Sequence, residues 1–164
     1  MRAVVWIAEG SWQACVDQAR AILPPDTAVT LLHVAPGDVE ALAEGARRGL
    51  FGRHPPPPPP HGSIREISDA EAGRLLATAR ERLGRECETM ARRGRVEREV
   101  IAACAQADAD VLVLARDGER KLGPPSLGHH PRFVVDHAPC TVVLAWAQAP
   151  PAVETIPPPP RHRP

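Results

Sequence analysis

The chain has 164 residues, of which 43% are hydrophobic, and its 20 basic residues balance its 20 acidic residues. This length supports one domain with a packed core and excludes two full domains. The balanced charge gives no general attraction to nucleic acid or to an anionic membrane. No apolar run approaches the roughly 20 residues of a membrane helix, and no basic segment leads into an apolar stretch near Met1, so we expect a cytoplasmic protein.

Short, nearly continuous apolar runs are typical of strands buried on both faces of a parallel sheet. The runs at residues 3–8, 28–34, 111–115 and 141–145 have this pattern. Helical spacing follows the first run over residues 12–23, with Ser11 placed to cap the helix, and a further helix is predicted near residues 132–136. Because strands and helices alternate, we predict a doubly wound α/β fold: an open, mostly parallel five-stranded sheet with helices on both faces, Rossmann-like in architecture.

The middle of the chain is less regular. Residues 38–50 predict a helix, and the sequence Ser68-Asp69-Ala70-Glu71 has the form of a capping box that begins a long helix. The apolar stripe of that helix includes Cys87 and Met90, and Gly94 is placed to end it. Residues 95–100 (RVEREV) alternate in polarity and predict a short edge strand, which leads directly into a helical segment.

The 20 prolines are too many for a compact fold, and they cluster at residues 55–60 and 157–160. Six consecutive prolines are restricted to extended polyproline or disordered chain, so we predict a loop insertion over residues 51–67. A spacer is favoured there over a segment that docks into an aromatic groove. We therefore expect a domain over residues 1–147 and a disordered tail over residues 148–164.

The four cysteines are widely separated and form no C-x-x-C pair. We expect reduced thiols that pack as small hydrophobic groups, rather than a metal or redox site. Three of them fall in helical patterns: Cys15, Cys87 and Cys104. Cys140 precedes the last predicted strand.

In an open parallel sheet, ligands bind outside the carboxyl ends of the strands, where neighbouring crossovers leave in opposite directions. This rule predicts a site formed by two segments. One is Ala8-Glu9-Gly10-Ser11 after the first strand, and the other covers residues 116–130 after the fourth strand. From spacing alone, a solvated charged loop explains residues 116–121 equally well.

Nine residues separate Gly118 from Gly128, and His137-Ala138-Pro139-Cys140 follows before the last strand. Together with Glu9-Gly10-Ser11 and Leu32-His33-Val34, these segments resemble the universal stress protein family, whose nucleotide-binding members carry G-x2-G-x9-G-[S/T] followed by H-A-P-C. In that family an acidic side chain after the first strand and backbone near the end of the second hold the adenosine. The resemblance implies an adenine-nucleotide site at Ala8, Glu9, Val34, Ala115, Arg116, Gly118, Gly128 and His129.

The phosphate loop departs from the family pattern at three positions. Ala115 replaces the first motif glycine, His129 replaces the hydroxyl residue, and Pro131 removes a backbone N–H from the start of the following helix. Each lost contact costs about 1–3 kcal/mol, which together weakens affinity roughly a hundredfold or more. Arg116, Arg120, Lys121 and the histidines at 129–130 are available to compensate.

The leading interpretation is a universal-stress-protein-like stress-response regulator that binds ATP, AMP or another adenine nucleotide weakly or with altered phosphate contacts. Mg²⁺ is expected only with a bound triphosphate. The alternative is a nucleotide-free interaction module. For this module the resemblance implies a homodimer in which residues 141–145 pair across the dimer axis and cover an exposed sheet edge.

A third hypothesis is a slow ATP hydrolase, but the chain has no P-loop lysine motif, no G-x-S-x-G elbow and no suitably spaced pair of carboxylates. We therefore assign no catalytic residues. The adjacent side chains of His129 and His130 diverge and have no third ligand nearby in sequence, so we predict no metal site. No nucleic-acid or membrane partner is expected.

Overall fold

A computed structural model describes residues 1–37, 64–116 and 127–149. The expectations for the helix at 38–50, the proline run at 55–60, Gly118, Arg120, Lys121 and the chain beyond residue 149 lie outside these residues. Within the described chain, no helix is long and apolar enough to cross a membrane.

Five parallel strands form one sheet, in the order β3-β2-β1-β4-β5. The strands are β1 (Arg2–Trp6), β2 (Ala28–Pro36), β3 (Glu88–Gly94), β4 (Val111–Arg116) and β5 (Thr141–Trp146). In the central register, Val5 of β1 lies beside Leu31 of β2 and Val113 of β4. The strand order reverses direction between β1 and β4, which makes this the topological switch point of the sheet. The predicted α/β fold with a five-stranded parallel sheet is confirmed.

Four described helices cover the two faces of the sheet: α1 (Trp12–Ile22), α2 (Ile64–Leu83), α3 (Val96–Gln106) and α4 (His129–His137). Because side chains alternate along a strand, Val5 packs into the core beneath α1 and α2, while Val4 packs into the core beneath α3 and α4. Both valines are fully buried, as the apolar runs predict.

The capping box predicted at Ser68 is wrong, because α2 begins at Ile64 and both Ser68 and Glu71 lie inside it. The end of this helix also differs from the prediction. It ends at Leu83, where Gly84 has a φ of +69°, a left-handed conformation that glycine adopts without the strain of a side chain. Cys87 therefore lies outside the helix and Met90 lies in β3. Residues 64–67 of the loop insertion predicted over residues 51–67 lie in α2, and residues 51–63 lie outside the described chain.

The edge strand predicted over residues 95–100 is wrong as well. The strand is β3, which ends at Gly94, and residues 96–100 form the first turns of α3. The amide of Glu99 donates to the carbonyl of Arg95 at 2.9 Å, which closes the first helical turn. The alternating sequence concealed helical spacing, since the buried side chains here are Val96, Glu97 and Val100.

The ends of β2 and β3 meet closely at two glycines. The amide of Gly37 donates to the carbonyl of Gly94 at 3.0 Å. A Cβ atom placed on Gly37 would lie 3.3 Å from the Cα of Gly94, tighter than an ordinary contact. Arg95 follows immediately and α3 begins at Val96, so this contact positions the start of α3 relative to β2.

Helix α1 begins at Trp12 as predicted, but the Ser11 side chain makes no capping hydrogen bond. Its hydroxyl is buried without a partner among the described residues, and the turn is closed by the backbone, with the Trp12 amide donating to the Ala8 carbonyl at 3.0 Å. The four cysteines all lie in the described chain and form no disulfide. Cys15 and Cys104 are buried in α1 and α3, whereas the prediction that Cys87 lies in a helix is wrong.

Candidate functional site

A cleft of about 340 Å³ lies at the carboxyl ends of β1 and β2. Small-molecule sites commonly have volumes of roughly 300–1,000 Å³, so this cleft is at the small end of that range. It has three sides, contributed by strand ends, by α2 and by the starts of α3 and α4. Its lining residues are Trp6, Ala8, Glu9, His33, Val34, Ala35, Pro36, Ser68, Glu71, Ala72, Val96, His130 and Pro131.

The strand-end side of the cleft includes Ala8, Glu9, His33 and Val34. β1 ends at Trp6, so Ala8 and Glu9 follow in the turn before α1, while His33 and Val34 lie in the last part of β2. The Ile7 amide donates to the Leu32 carbonyl at 2.7 Å, which holds the two strand ends together. This side therefore presents one exposed carboxylate above an apolar floor.

The His33 ring has a defined proton position. Its Nδ1 lies 2.8 Å from the carbonyl oxygen of Ile7. A carbonyl oxygen only accepts hydrogen bonds, so Nδ1 must carry the proton and donate. The neutral ring consequently has its lone pair on Nε2. The bond ties the ring of a cleft-lining residue to the end of β1.

The helix-start side of the cleft consists of Val96, His130 and Pro131. Val96 is the first residue of α3, and His130 and Pro131 lie in the first turn of α4, so two helix N-termini meet here. The first amides of a helix have no intrahelical partner, and they favour anions. Pro131 has no N–H to offer, and the first helical bond of α4 is made by the Arg132 amide to the Gly128 carbonyl at 3.0 Å.

A buried carboxylate supports the helix-start side from beneath. The Nδ1 atom of His130 lies 2.8 Å from Oε2 of Glu97, and Nη2 of Arg95 lies 3.1 Å from Oε1 of the same carboxylate. The Glu97 side chain is only 6% exposed, whereas that of His130 is 51% exposed. The pKa of Glu97 lies below its usual range, chiefly because its own backbone amide donates to the carboxylate; His130 and Arg95 add to this effect, and burial opposes it.

Of the residues that the sequence predicted for a nucleotide site, Ala8, Glu9 and Val34 come together in the cleft. Gly128 caps the start of α4, and His129 is exposed as the first residue of that helix without lining the cleft.

The two predicted residues at the end of β4 lie elsewhere. Ala115 is buried in the core beneath α1 and α2. The Arg116 guanidinium lies 4.6 Å from the ring centroid of Trp146, next to it in the register of β4 and β5. The rule for parallel sheets predicted a crevice above the first and fourth strands, but the cleft lies above β1 and β2. The segment after β4 reaches it only through His130 and Pro131 among the described residues.

Sequence reasoning assigned no role in a site to His33, Ser68, Glu71 or Glu97. His33 was identifiable, since it stands at the end of a predicted strand. Ser68 and Glu71 were assigned to a capping box that the structure does not have. Glu97 was assigned to an edge strand, whereas it lies in α3. Within the described chain, no group of three or more His, Cys, Asp or Glu side chains is arranged to hold a metal ion.

The sequence model of the universal stress protein family matches residues 9–145 of the chain. The chain belongs to the universal stress protein family. The match includes every cleft-lining residue except Trp6 and Ala8, and it includes β2, β3, β4 and all of β5 but its last residue. The resemblance noted in the sequence is thereby confirmed. No curated protein sequence matches the chain.

Solved structures of the universal stress protein family share the fold. A family protein from Arabidopsis thaliana with AMP bound has 17% identity and a TM-score of 0.58, covering 91% of this chain and 93% of that one. A universal stress protein in complex with cAMP has 16% identity and a TM-score of 0.58, covering 90% and 98%. UspA from Lactobacillus plantarum has 17% identity and a TM-score of 0.55, covering 88% and 97%. Identities this low establish the architecture alone.

Proposed function

We propose that this universal stress protein binds an adenine nucleotide in the cleft and acts as a cytoplasmic regulator in the stress response. The observation that carries the proposal is the convergence of Ala8, Glu9 and Val34 on one cleft of about 340 Å³ at the carboxyl ends of β1 and β2. Two family members of the same fold are described with AMP or cAMP bound. Both ligands contain adenosine and a phosphate.

The strand-end side of the cleft suits the nucleoside. A carboxylate accepts hydrogen bonds, and in parallel α/β sheets an acidic side chain commonly holds the hydroxyls of a ribose. Glu9 is exposed at the lip of the cleft and can turn toward such hydroxyls. Trp6, Val34 and Ala72 provide buried apolar surface against which a base can pack.

The phosphate contacts are expected to be weak or altered. Ala115, at the position of the first motif glycine, is part of the core and does not line the cleft, so it supplies no backbone contact to a phosphate there. Pro131 removes one of the amides at the start of α4. We propose that AMP and ATP both bind, with little gain in affinity from the second and third phosphates. Mg²⁺ enters only with a triphosphate.

Calorimetric titration of the purified protein with AMP and ATP tests this function. Saturable binding is expected. Glu9→Ala is expected to lower the affinity for both AMP and ATP about tenfold, because a charged hydrogen-bond acceptor is lost. Glu81→Ala is the matched control, because Glu81 is an exposed glutamate of α2 that does not line the cleft. Absence of binding at millimolar nucleotide would contradict the proposal.

A homodimeric interaction module is the second candidate function, and the position of β5 favours it. β5 is an end strand of the sheet, and among the described strands its register pairs it with β4 alone. An unpaired strand edge is a ready surface for a second copy of the chain. Light scattering is expected to give twice the chain mass; a strict monomer at high concentration would rule this candidate out.

A further inference from the structure

The His130 ring lies between a buried acid and the open cleft. One ring nitrogen, Nδ1, is 2.8 Å from the Glu97 carboxylate, while the side chain as a whole is 51% exposed and lines the cleft. Among the described residues, Nε2 has no hydrogen-bond partner. Glu97 stands on α3 and His130 on α4, 33 residues apart in the chain, so only the folded state brings the two together.

The hydrogen bond to Glu97 determines which nitrogen carries the proton of the neutral ring. The pKa of Glu97 is lowered, chiefly by its own backbone amide, so the side chain is a carboxylate at neutral pH. A carboxylate only accepts hydrogen bonds, and therefore Nδ1 must donate. The neutral ring then has a lone pair on Nε2, which repels the oxygens of an anion. Only a second proton, at Nε2, makes the exposed nitrogen a donor.

Among the described residues, the charged and titratable groups near the ring are Glu97 and its ion-pair partner Arg95 at the start of α3, His129 beside it on α4, and the cleft-lining residues Glu9, His33 and Glu71. The acidic members favour a charged ring and the basic members disfavour it. Protonation of His130 also places a positive charge at the start of α4, where the helix dipole disfavours a cation. An anionic ligand beside Nε2 favours the charged form of the His130 ring and so opposes the effect of the helix dipole.

We propose that His130 takes up a proton at Nε2 when an adenine nucleotide binds in the cleft, and that the charged ring then donates a hydrogen bond from Nε2 to a phosphate oxygen. The inference rests on the proposed function and specifies how its phosphate is held. The proton comes from the solvent, and no covalent bond forms. Glu97 acts as a positioning residue: it keeps the other proton on Nδ1 and balances the charge that the ring gains.

Proton uptake makes the affinity depend on pH. At a pH near 8 a histidine side chain is mostly neutral, so nucleotide binding there must recruit a proton. By linkage, AMP affinity is expected to fall up to about tenfold for each pH unit in this range. Adenosine has no phosphate, and its affinity is expected to stay constant.

The experiment is calorimetric titration of the full chain with AMP and with adenosine at pH 8, in two buffers of different ionisation enthalpy. The dependence of the observed enthalpy on the buffer counts the protons taken up for each ligand bound. We expect uptake approaching one proton for AMP and none for adenosine. A phosphate monoester itself titrates near pH 6, so the informative quantity is the difference between wild type and variants, which share that contribution.

Two variants and one control separate the roles of the residues. His130→Asn retains a donor near the Nδ1 position but removes Nε2, so the proton uptake is expected to disappear and AMP affinity to fall. Glu97→Gln lets the ring place its single proton on Nε2, so AMP should bind with less proton uptake, an effect that mere loss of packing would not produce. His137→Asn is the matched control: it lies at the other end of α4, and its Nδ1 donates to the Phe133 carbonyl.

The outcomes distinguish the two proposals. If AMP binds with the same proton uptake in wild type and His130→Asn, this inference is overturned while the proposed function stands. If neither AMP nor adenosine binds the wild-type chain, the proposed function fails and the inference fails with it. Equal proton uptake for AMP and adenosine in the wild type would also overturn the assignment to a phosphate contact.

Discussion

The strand-end side and the helix-start side of the cleft are built in different ways. The strand-end side is formed by residues that follow directly from two buried strands, and its geometry is determined by the register of β1 and β2. The helix-start side depends on Glu97 and His130, which belong to different helices. The first side is held by the pairing of two strands and has one carboxylate, whereas we propose that ligand contacts on the second depend on the protonation of His130. We infer that shape selects the nucleoside and that charge adjusts its affinity.

The largest expected effect comes from filling the strand-end side. Ala8→Phe places a ring in a cleft of about 340 Å³, so AMP and adenosine should both lose about a hundredfold or more in affinity. Calorimetric titration measures the loss. Ala77→Phe is the control, since Ala77 is exposed on α2 and does not line the cleft. If only AMP were affected, the assignment of the nucleoside to this side would be wrong.

The next effect concerns the stability that the Glu97–His130 pair contributes. The pKa of Glu97 is lowered in the folded chain from 4.5, chiefly by its own backbone amide. A group whose pKa falls on folding stabilises the folded state above its unfolded pKa, and this contribution is lost as the pH falls through the folded pKa. The free energy of unfolding of the wild type should therefore exceed that of Glu97→Gln by about 1 kcal/mol at pH 7. This difference should shrink below about pH 4.5.

Urea denaturation at pH 7 and at pH 3.5 checks this expectation. A double-mutant cycle with His130→Ala isolates the pair, and a coupling of roughly 0.5–1 kcal/mol at pH 7 is expected because the histidine is half exposed. A coupling of zero would mean that the two side chains are neighbours without an energetic link. The proton-linked binding of phosphate would then lose its structural basis.

The expected effect with the least direct bearing on ligand binding is on thiol chemistry beneath the helix-start side. Burial raises the pKa of Cys104 to about 12, and the neighbouring Cys140 adds to this. The reactive form of cysteine is the thiolate, so alkylation of Cys104 at pH 8 should be slower than in the unfolded chain by about a hundredfold or more. Mass spectrometry after brief iodoacetamide treatment measures the rate. Rapid labelling of Cys104 would show that α3 opens readily and that its start is a poor support for His130.

Sequence alone predicted the strands that are buried on both faces, because a short continuous apolar run in a chain of alternating elements is typical of such a strand. β1, β2 and β4 are buried in this way, whereas β5 is a partly exposed end strand whose sequence is equally apolar. β3 escaped prediction because it is an end strand with largely polar residues and little burial. Because β3 was not recognised, its residues were assigned to the preceding helix, and the start of α3 was predicted to be a strand.

The candidate site likewise has a part that was predictable from sequence and a part that was not. The rule that ligands bind at carboxyl strand ends predicted Ala8 and Glu9, since this rule needs only the positions of strands, whereas Val34 was implied by the family resemblance. The contact between Glu97 and His130 was not predictable from one sequence, because it depends on how α3 and α4 pack against the sheet. Sequence does not distinguish a glutamate that is buried in the fold from an exposed one. The role of Glu97 can be inferred only once its contact with His130 is known.

The contact between Gly37 and Gly94 lies just outside the cleft and connects the end of β2 to the start of α3. Since a methyl group at residue 37 would press on the end of β3, the displacement would pass through Arg95 to the first turn of α3. Glu97 would then move relative to His130, although neither glycine lines the cleft. A substitution such as Gly37→Ala would therefore alter how nucleotide affinity responds to acidity while leaving the recognition of adenosine intact.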